Sequence, residues 1–107
     1  MTVVNQQTTN ANTPSIVATA GVCLQSNVNR VAWNIQNLGT NALYVCLGPT
    51  AVAANGATGT FHVALKGATV QDDGSGGAVG QETGVVYTGP ISVAGTSPRF
   101  VVLEQAP

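Results

Sequence analysis

Charge is what this sequence has least of. Asp, Glu, Lys and Arg together make up 7% of its 107 residues, against about 25% in typical soluble domains. Three basic and four acidic residues leave a formal net charge of −1. Binding to nucleic acid, or to a membrane through a polybasic patch, requires several cations on one face of a protein. The sequence therefore predicts no nucleic-acid partner and no membrane partner.

Long apolar runs and targeting signals are also missing. No stretch approaches the roughly 20 apolar residues that a membrane-spanning helix requires. The N-terminal residues MTVVNQQ have neither the basic region nor the apolar region of a signal peptide. We therefore expect the protein to be made and to fold in a cytoplasm.

Catalytic and metal-binding patterns are absent as well. Cys23 and Cys46 are spaced like neither a metal knuckle nor a redox CxxC pair, so we predict two buried free thiols, with a cross-strand disulfide as the alternative. His62 is the only histidine, and neither a GxSxG elbow nor an activated-cysteine pattern accompanies it. The sequence predicts no enzyme, no cofactor and no metal ion.

Residues 67–81 are predicted to form the longest loop of the domain, which is rich in glycine and contains two adjacent carboxylates. The run DDGSGG over Asp72–Gly77 lacks the twelve-residue ligand spacing of a calcium-binding loop. It also lacks the phosphate-binding patterns of glycine-rich nucleotide loops. We predict a flexible loop tip with solvated carboxylates, and the alternative is a cation site at an interface.

What the sequence does have is apolar residues with a period of two. In the stretch Arg30–Gly48 this alternation occurs on both sides of the turn Gly39–Asn41. The apolar positions are Val31, Trp33 and Ile35 before the turn, and Leu43, Val45 and Leu47 after it. The pattern predicts a β-hairpin with Trp33 as the anchor of the core.

Further strands are predicted along the rest of the chain, and no helix is. They are Ile16–Gln25 with a bend at Gly21, Thr60–Lys66, a short strand at Ala68–Gln71, Gly84–Tyr87, Ile91–Ala94 and Arg99–Gln105. Seven or eight short strands with turn residues between them predict an all-β fold, either an antiparallel β-sandwich or a small jelly-roll or barrel. Residues 1–14 are polar and aperiodic and predict a flexible N-terminal arm, which leaves residues 15–107 as a single β-sandwich domain.

The surface that this composition implies is neutral, and we infer that much of it faces other protein in an assembly. The last predicted strand is apolar on both faces, which is typical of a central or covered strand. Its outward positions Val101 and Leu103 are candidate interface residues. Tyr44 and Tyr87 are candidate core or interface residues, and they are the first aromatic side chains to consider for stacking on a sugar.

Three segments together resemble small structural proteins of tailed bacteriophages. They are NRVAWNIQNLGTNALYVCLG (29–48), FHVALKGATVQDDGSGG (61–77) and VYTGPISVAGTSPRFVVLEQ (86–105). In those proteins an I-Q-N-x-G-x-N-x-x-Y-V-x-x-G hairpin is followed by a Y-x-G-P-I-x-V-x-G turn and a final V-V-x-x-E strand. The resemblance covers about residues 29–105.

The resemblance implies a non-enzymatic component of the virion without catalytic residues: a head decoration (cement) protein, a head-fibre base or a minor tail protein. Its first form is a capsid decoration (cement) protein, whose copies, often trimers, bind junctions between major capsid subunits and hold neighbouring subunits together. The arm at residues 1–14 would then reach along a neighbouring subunit. The alternative is a receptor- or glycan-binding module of a phage fibre or tail.

Overall fold

The computed structural model describes residues 9–82 and 84–107, and its regular structure is entirely β. Within these residues no helix is long and apolar enough to cross a membrane. There are eleven short strands: β1 (Asn10–Ala11), β2 (Ile16–Val17), β3 (Gly21–Leu24), β4 (Ala32–Asn37), β5 (Leu43–Cys46), β6 (Val52–Asn55), β7 (Thr58–Thr60), β8 (Val63–Leu65), β9 (Ala78–Gln81), β10 (Ile91–Ala94) and β11 (Phe100–Ala106).

The strands form two antiparallel sheets and one separate hairpin. The first sheet has the order β1-β11-β4-β9, and β2 also pairs with β11. The second sheet has the order β3-β10-β5-β8, and β6 pairs with β7 alone. The predicted all-β fold and antiparallel β-sandwich are thus confirmed. The strands are more numerous than predicted because two predicted strands are divided and because β1, β6, β7 and β9 form largely where no strand was predicted.

The core lies between the two sheets and is made by the alternate side chains of both. Trp33, Ile35, Phe100 and Val102 come from the first sheet, and the second contributes a matching set. That set is Leu24, Leu43, Val45, Leu65, Ile91 and Val93. Trp33 is 3% exposed, and its indole Nε1 donates a hydrogen bond to Gln81 Oε1 at 2.9 Å. Its predicted role as a core anchor is confirmed.

The predicted hairpin over Arg30–Gly48 is wrong. Strand β4 pairs with β11 and β9 in the first sheet, whereas β5 pairs with β10 and β8 in the second. The turn at Gly39–Asn41 therefore carries the chain from one sheet to the other. A period of two indicates that one face of each strand is buried. Two strands of one hairpin and two strands that face each other across a sandwich have the same period, so the pattern does not distinguish them.

Two other predicted strands are also divided. Ile16–Gln25 splits into β2, which pairs with β11, and β3, which pairs with β10. The predicted bend at Gly21 is confirmed, since this glycine begins β3 with a φ of 121° that side-chain-bearing residues rarely adopt. Thr60–Lys66 divides between the end of β7 and the separate strand β8.

Two predicted strands are not formed. Ala68–Gln71 and Gly84–Tyr87 are irregular where they are described, and β9 occurs instead within the predicted loop. At Tyr87 the backbone forms hydrogen bonds with side chains and not with a neighbouring strand. Its N–H donates to Gln81 Oε1, and its carbonyl oxygen accepts from Arg30. Residues 1–8 of the predicted arm lie outside the described residues, and the flexible arm over residues 1–14 stays a prediction.

Candidate interaction surface

The outward side of the first sheet carries no charged side chain. We call it the neutral face and define it by nine residues whose neighbours along each strand point to the core: Ile16, Ala32, Asn34, Gln36, Ala78, Gly80, Val101, Leu103 and Gln105. Cross-strand register places Val101 between Ile16 and Gln36. Val101 and Leu103 are partly exposed and Ile16 is 50% exposed, so they form an apolar stripe across the face.

The outward side of the second sheet is covered by the chain itself. Ser92 and Cys46 lie there, yet their exposed fractions are only 0% and 5%. The β6–β7 hairpin packs against β5 and β10 at this position, and the Ser92 hydroxyl donates to Gly48 O at 2.8 Å. Within the described residues, the neutral face has no comparable cover. It is the sheet face that is free to contact another molecule.

A groove of about 340 Å³ lies at one end of the neutral face. It lies beside Gly80, where a Cβ atom would come within 2.5 Å of the carbonyl oxygen of Trp33, so glycine permits the close approach of β9 to β4 at this point. The groove is bordered by Asn34, Glu82 and Gln105. Amide and carboxylate groups both accept hydrogen bonds, and the amides also donate them. The groove is therefore suited to a polar group that donates hydrogen bonds.

The structure brings only two of the four predicted interface residues together. Val101 and Leu103 share the neutral face. Tyr44 lies on the outward side of the second sheet, where its ring packs edge-on against Phe61 at a centroid distance of 4.8 Å. Tyr87 is partly buried against the core. The two tyrosines do not form one aromatic surface, and their role as interface residues stays a prediction.

Arg30 is a buried charge that ties one end of the sandwich together. Its side chain is 0% exposed and its Nε lies 2.8 Å from Glu104 Oε2. The remaining guanidinium nitrogens donate to the carbonyl oxygens of Tyr87, Gly89 and Gln25, at 2.8, 3.0 and 2.6 Å. A planar guanidinium supplies this fork of donors, which a lysine cannot. The cluster is structural, because Arg30 has no exposed surface to offer a ligand.

Asn37 is a buried amide that holds the turn between the two sheets in place. It is 1% exposed, and its Nδ2 donates to the carbonyl oxygens of Asn41, Leu65 and Lys66 at 2.8, 3.3 and 3.1 Å. Its Oδ1 accepts the N–H of Gly39 at 3.1 Å. One side chain thus fixes the turn and fastens it to the end of β8.

The predicted loop tip at Asp72–Gly77 is held by hydrogen bonds. Asp72 forms a two-point pair with the guanidinium of Arg99, at 2.8 and 2.7 Å, and this contact holds the pKa of the Asp72 carboxyl below its usual value. Asp73 accepts hydrogen bonds from the hydroxyl and N–H of Ser75, which lower its pKa in the same direction. Both carboxylates are thus occupied by groups of the chain itself.

Acidification is expected to loosen this loop. A carboxyl whose pKa is lowered on folding contributes stability above its unfolded pKa, near 3.9, and that contribution is lost as pH falls through the folded pKa. We therefore expect the amide protons of Val70 and Ser75, which are bonded to Asp73, to lose protection below about pH 4, while the protection of β4 stays constant. Amide exchange followed by NMR from pH 6 to pH 3 measures this, and equal protection of the loop throughout would contradict it.

Both cysteines are free thiols, as predicted, but only Cys46 is buried and Cys23 is partly exposed. Cys23 lies in β3 and Cys46 in β5, and β10 runs between these strands. Strands two positions apart are separated by about 9.6 Å, which exceeds the Cα–Cα span of a disulfide. Burial raises the pKa of the Cys23 thiol to about 11, so it is a poor nucleophile at neutral pH.

The His62 side chain forms a hydrogen bond with the backbone. Its Nδ1 accepts the N–H of Leu47 at 3.0 Å, so the proton of the neutral imidazole is on Nε2. Across the described residues no group of three or more His, Cys, Asp or Glu side chains is placed to hold a metal ion.

Sequence reasoning missed Arg30, Asn37 and Gly80. Arg30 stands just before the first strand of the predicted hairpin, and an isolated basic residue gives no sign of burial. Asn37 ends β4, where amides are common in turns, and only its four contacts reveal its role. Gly80 was part of the predicted loop, so nothing indicated that it lies in a strand that approaches the backbone of β4 closely.

Comparison with known proteins adds no relative, since no family model, no curated protein and no solved structure matches the chain.

Proposed function

We propose that the protein is a non-enzymatic structural component of a virion, most specifically a capsid decoration protein that binds the major capsid protein. The neutral face carries the proposal. A five-stranded sheet face without charge, crossed by the stripe of Ile16, Val101 and Leu103, is suited to lie against another protein surface. The resemblance of residues 29–105 to phage structural proteins agrees with this use.

In this proposal the protein acts by binding at defined positions on the capsid, without any chemical reaction. Each copy places its neutral face at a junction between capsid subunits, and a homo-oligomer, with a trimer favoured, presents several such faces at once. Linked copies bind with an effective concentration that one copy lacks, so weak single contacts sum to a stable attachment. Residues 1–8 of the N-terminal arm reach along a neighbouring subunit, because Asn10–Ala11 pair with β11 of the same chain.

A matched pair of substitutions tests the neutral face. Val101→Glu places a charge in the apolar stripe, whereas Val28→Glu places the same charge at a position that is 85% exposed, in the turn before β4 and outside the nine residues of the neutral face. We expect Val101→Glu to lower capsid affinity by at least tenfold, because a carboxylate would be desolvated in the contact. Val28→Glu should bind as the parent does. Co-sedimentation with emptied, expanded capsids of the virus that encodes the chain measures both.

The proposal fails if the parent protein ignores such capsids, or if the two variants bind alike. Light scattering on each protein alone provides the control for association, because a change in solution mass would indicate that the substitution acts on the oligomer instead.

The groove beside Gly80 supports a second candidate function, a receptor- or glycan-binding module of a fibre or tail. Its bordering amides of Asn34 and Gln105 suit the hydroxyl groups of a neutral sugar. A glycan array separates the two functions: selective binding that is lost in Asn34→Ala would favour this candidate over decoration.

A further inference from the structure

Strand β9 is an unprotected edge of the first sheet. Asn37 N–H donates to Gly77 O at 2.9 Å, and the pairing continues through Gln36 with Ala78 and Asn34 with Gly80. Antiparallel partners alternate between bonded and non-bonded pairs, so Ala78 and Gly80 direct their N–H and C=O groups away from β4. No hydrogen bond joins these groups to other described residues outside the ladder.

This edge also lacks the usual devices against strand pairing. Exposed edges are commonly protected by charged side chains, proline or a bulge. Residues Ala78–Gln81 contain no charge and no proline, and their register with β4 is regular. The opposite edge of the sheet is different, because β1 and β2 of the same chain already pair with β11 there.

A cleft opens beside β9, between the edges of the two sheets. Strands β8 and β9 approach where Gly77 N–H donates to Lys66 O at 3.0 Å. Beyond this point a cleft of about 200 Å³ separates them. Its walls are mainly apolar, and they are formed by Trp33, Val45, Leu47, Val63 and Val79, with His62, Gly80 and Gln81 completing them. The core is therefore accessible along this side of the sandwich.

An extended segment added to β9 would use all of these features. Its backbone would bond to the outward groups of Ala78 and Gly80. Its side chains would alternate between the two sides of the sheet, one set entering the apolar cleft and the other lying over the polar groove. Strand addition of this kind takes affinity from main-chain hydrogen bonds and specificity from alternate side-chain pockets. The fitting segment is uncharged, with a small branched apolar residue for the cleft.

We propose that this segment is the N-terminal stretch Thr2–Asn5 of a second copy of the chain. The first eight residues, MTVVNQQT, have uncharged side chains, which match the uncharged edge. Thr2, Val3 and Val4 are all strand-forming residues, and a valine has the size and shape that the cleft accepts. No proline or glycine interrupts them.

A second copy is a better donor than the same molecule. The described chain begins beside β1, at the far edge of the sheet, three strand spacings from β9. Crossing this distance of about 14 Å takes roughly four residues of extended chain, which would use up half of the segment. A neighbouring copy can present the whole segment. The inference rests on the homo-oligomer of the proposed function, and it is tested without capsids, so the two can fail separately.

Two complementary variants test the exchange by solution mass. Deleting residues 2–8 removes the donor strand and leaves the edge intact. Ala78→Pro removes the outward N–H of the edge without removing a bond to β4, so the strand itself is kept. We expect the parent to be an oligomer and each variant to be a monomer by light scattering. Mixing the two variants should give a 1:1 complex, because one supplies the strand and the other the edge.

A peptide provides a second measurement that does not depend on the proline variant. The only tryptophan, Trp33, lines the cleft, so the peptide MTVVNQQT added to the deletion variant should change its fluorescence. The same peptide with Val3 and Val4 replaced by Asp should not, and Ala78→Ser, which keeps the N–H, should remain an oligomer. A monomeric parent, an oligomeric deletion variant, or a peptide without effect would each overturn the proposal.

Discussion

Replacing Arg30 by methionine is expected to lower the free energy of unfolding by about 3–5 kcal/mol, the usual cost of removing one partner of a buried ion pair. The methionine fills similar space but supplies no donors. It leaves the carboxylate of Glu104 unpaired, and three carbonyl oxygens lose the guanidinium that satisfies them. Urea denaturation measures the change through the midpoint at an unchanged slope.

Two controls separate burial from charge in this prediction. Arg99→Met removes the other arginine–carboxylate pair, in which both side chains are solvent-accessible, and we expect little change because water replaces the lost contact. Arg30→Lys keeps the charge but cannot reach four acceptors, so it should fall between the parent and Arg30→Met. If Arg30→Met and Arg99→Met lowered the free energy of unfolding equally, the buried cluster at Arg30 would contribute no more stability than the exposed ion pair.

Asn37→Ala is expected to cost about 1–3 kcal/mol, the usual penalty for leaving a buried polar group without its partner. The change removes one hydrogen bond each from the carbonyl oxygens of Asn41, Leu65 and Lys66 and from the N–H of Gly39. Lys66 O keeps its bond from Gly77 N–H and Gly39 N–H keeps its bond to Arg99 O, so the loss is smaller than four bonds would suggest. Asn37→Asp keeps the acceptor for Gly39 but directs a carboxylate at three carbonyl oxygens. We expect its loss of stability to be larger at pH 7 than at pH 4, where the carboxyl can take up a proton.

Asn41→Ala is the matched control for this site. Asn41 is exposed, and its side chain makes one hydrogen bond, to Thr96 O at 3.1 Å. Thermal unfolding of the three variants and the parent gives the comparison. If Asn41→Ala were as destabilising as Asn37→Ala, the effect would belong to the turn in general and not to the buried amide.

Residue alternation predicted which side chains are buried and did not predict which strands are neighbours. Trp33 and Ile35 in β4 and Leu43 and Val45 in β5 are all in the core, as the period of two indicates. The two strands nevertheless belong to different sheets. Their partners come from residues 63–65, 78–81 and 91–106, and a local pattern contains no information on such distant pairing. The same limit explains why Ile16–Gln25 appeared to be one strand.

The candidate surface was predictable only in part. Val101 and Leu103 were found because they alternate with Phe100 and Val102 in an apolar run. The breadth of the neutral face depends on Asn34, Gln36 and residues of β9, which share it only through cross-strand register. Gly80 allows β9 to approach the backbone of β4 closely, and the sequence alone does not show which glycine permits a close approach and which permits a turn.

The strand order has a consequence for how this chain becomes folded during its synthesis. β10 and β11 are the last two strands along the chain, yet each lies inside its sheet, with partners on both sides. As the chain leaves the ribosome, β1 to β9 emerge before the strands that join them. Neither sheet can close until residues 91–106 follow, so folding starts late and depends on distant contacts. The exposed edges and apolar strands must stay apart in the meantime, which makes this interval the time at which copies are most prone to pair incorrectly.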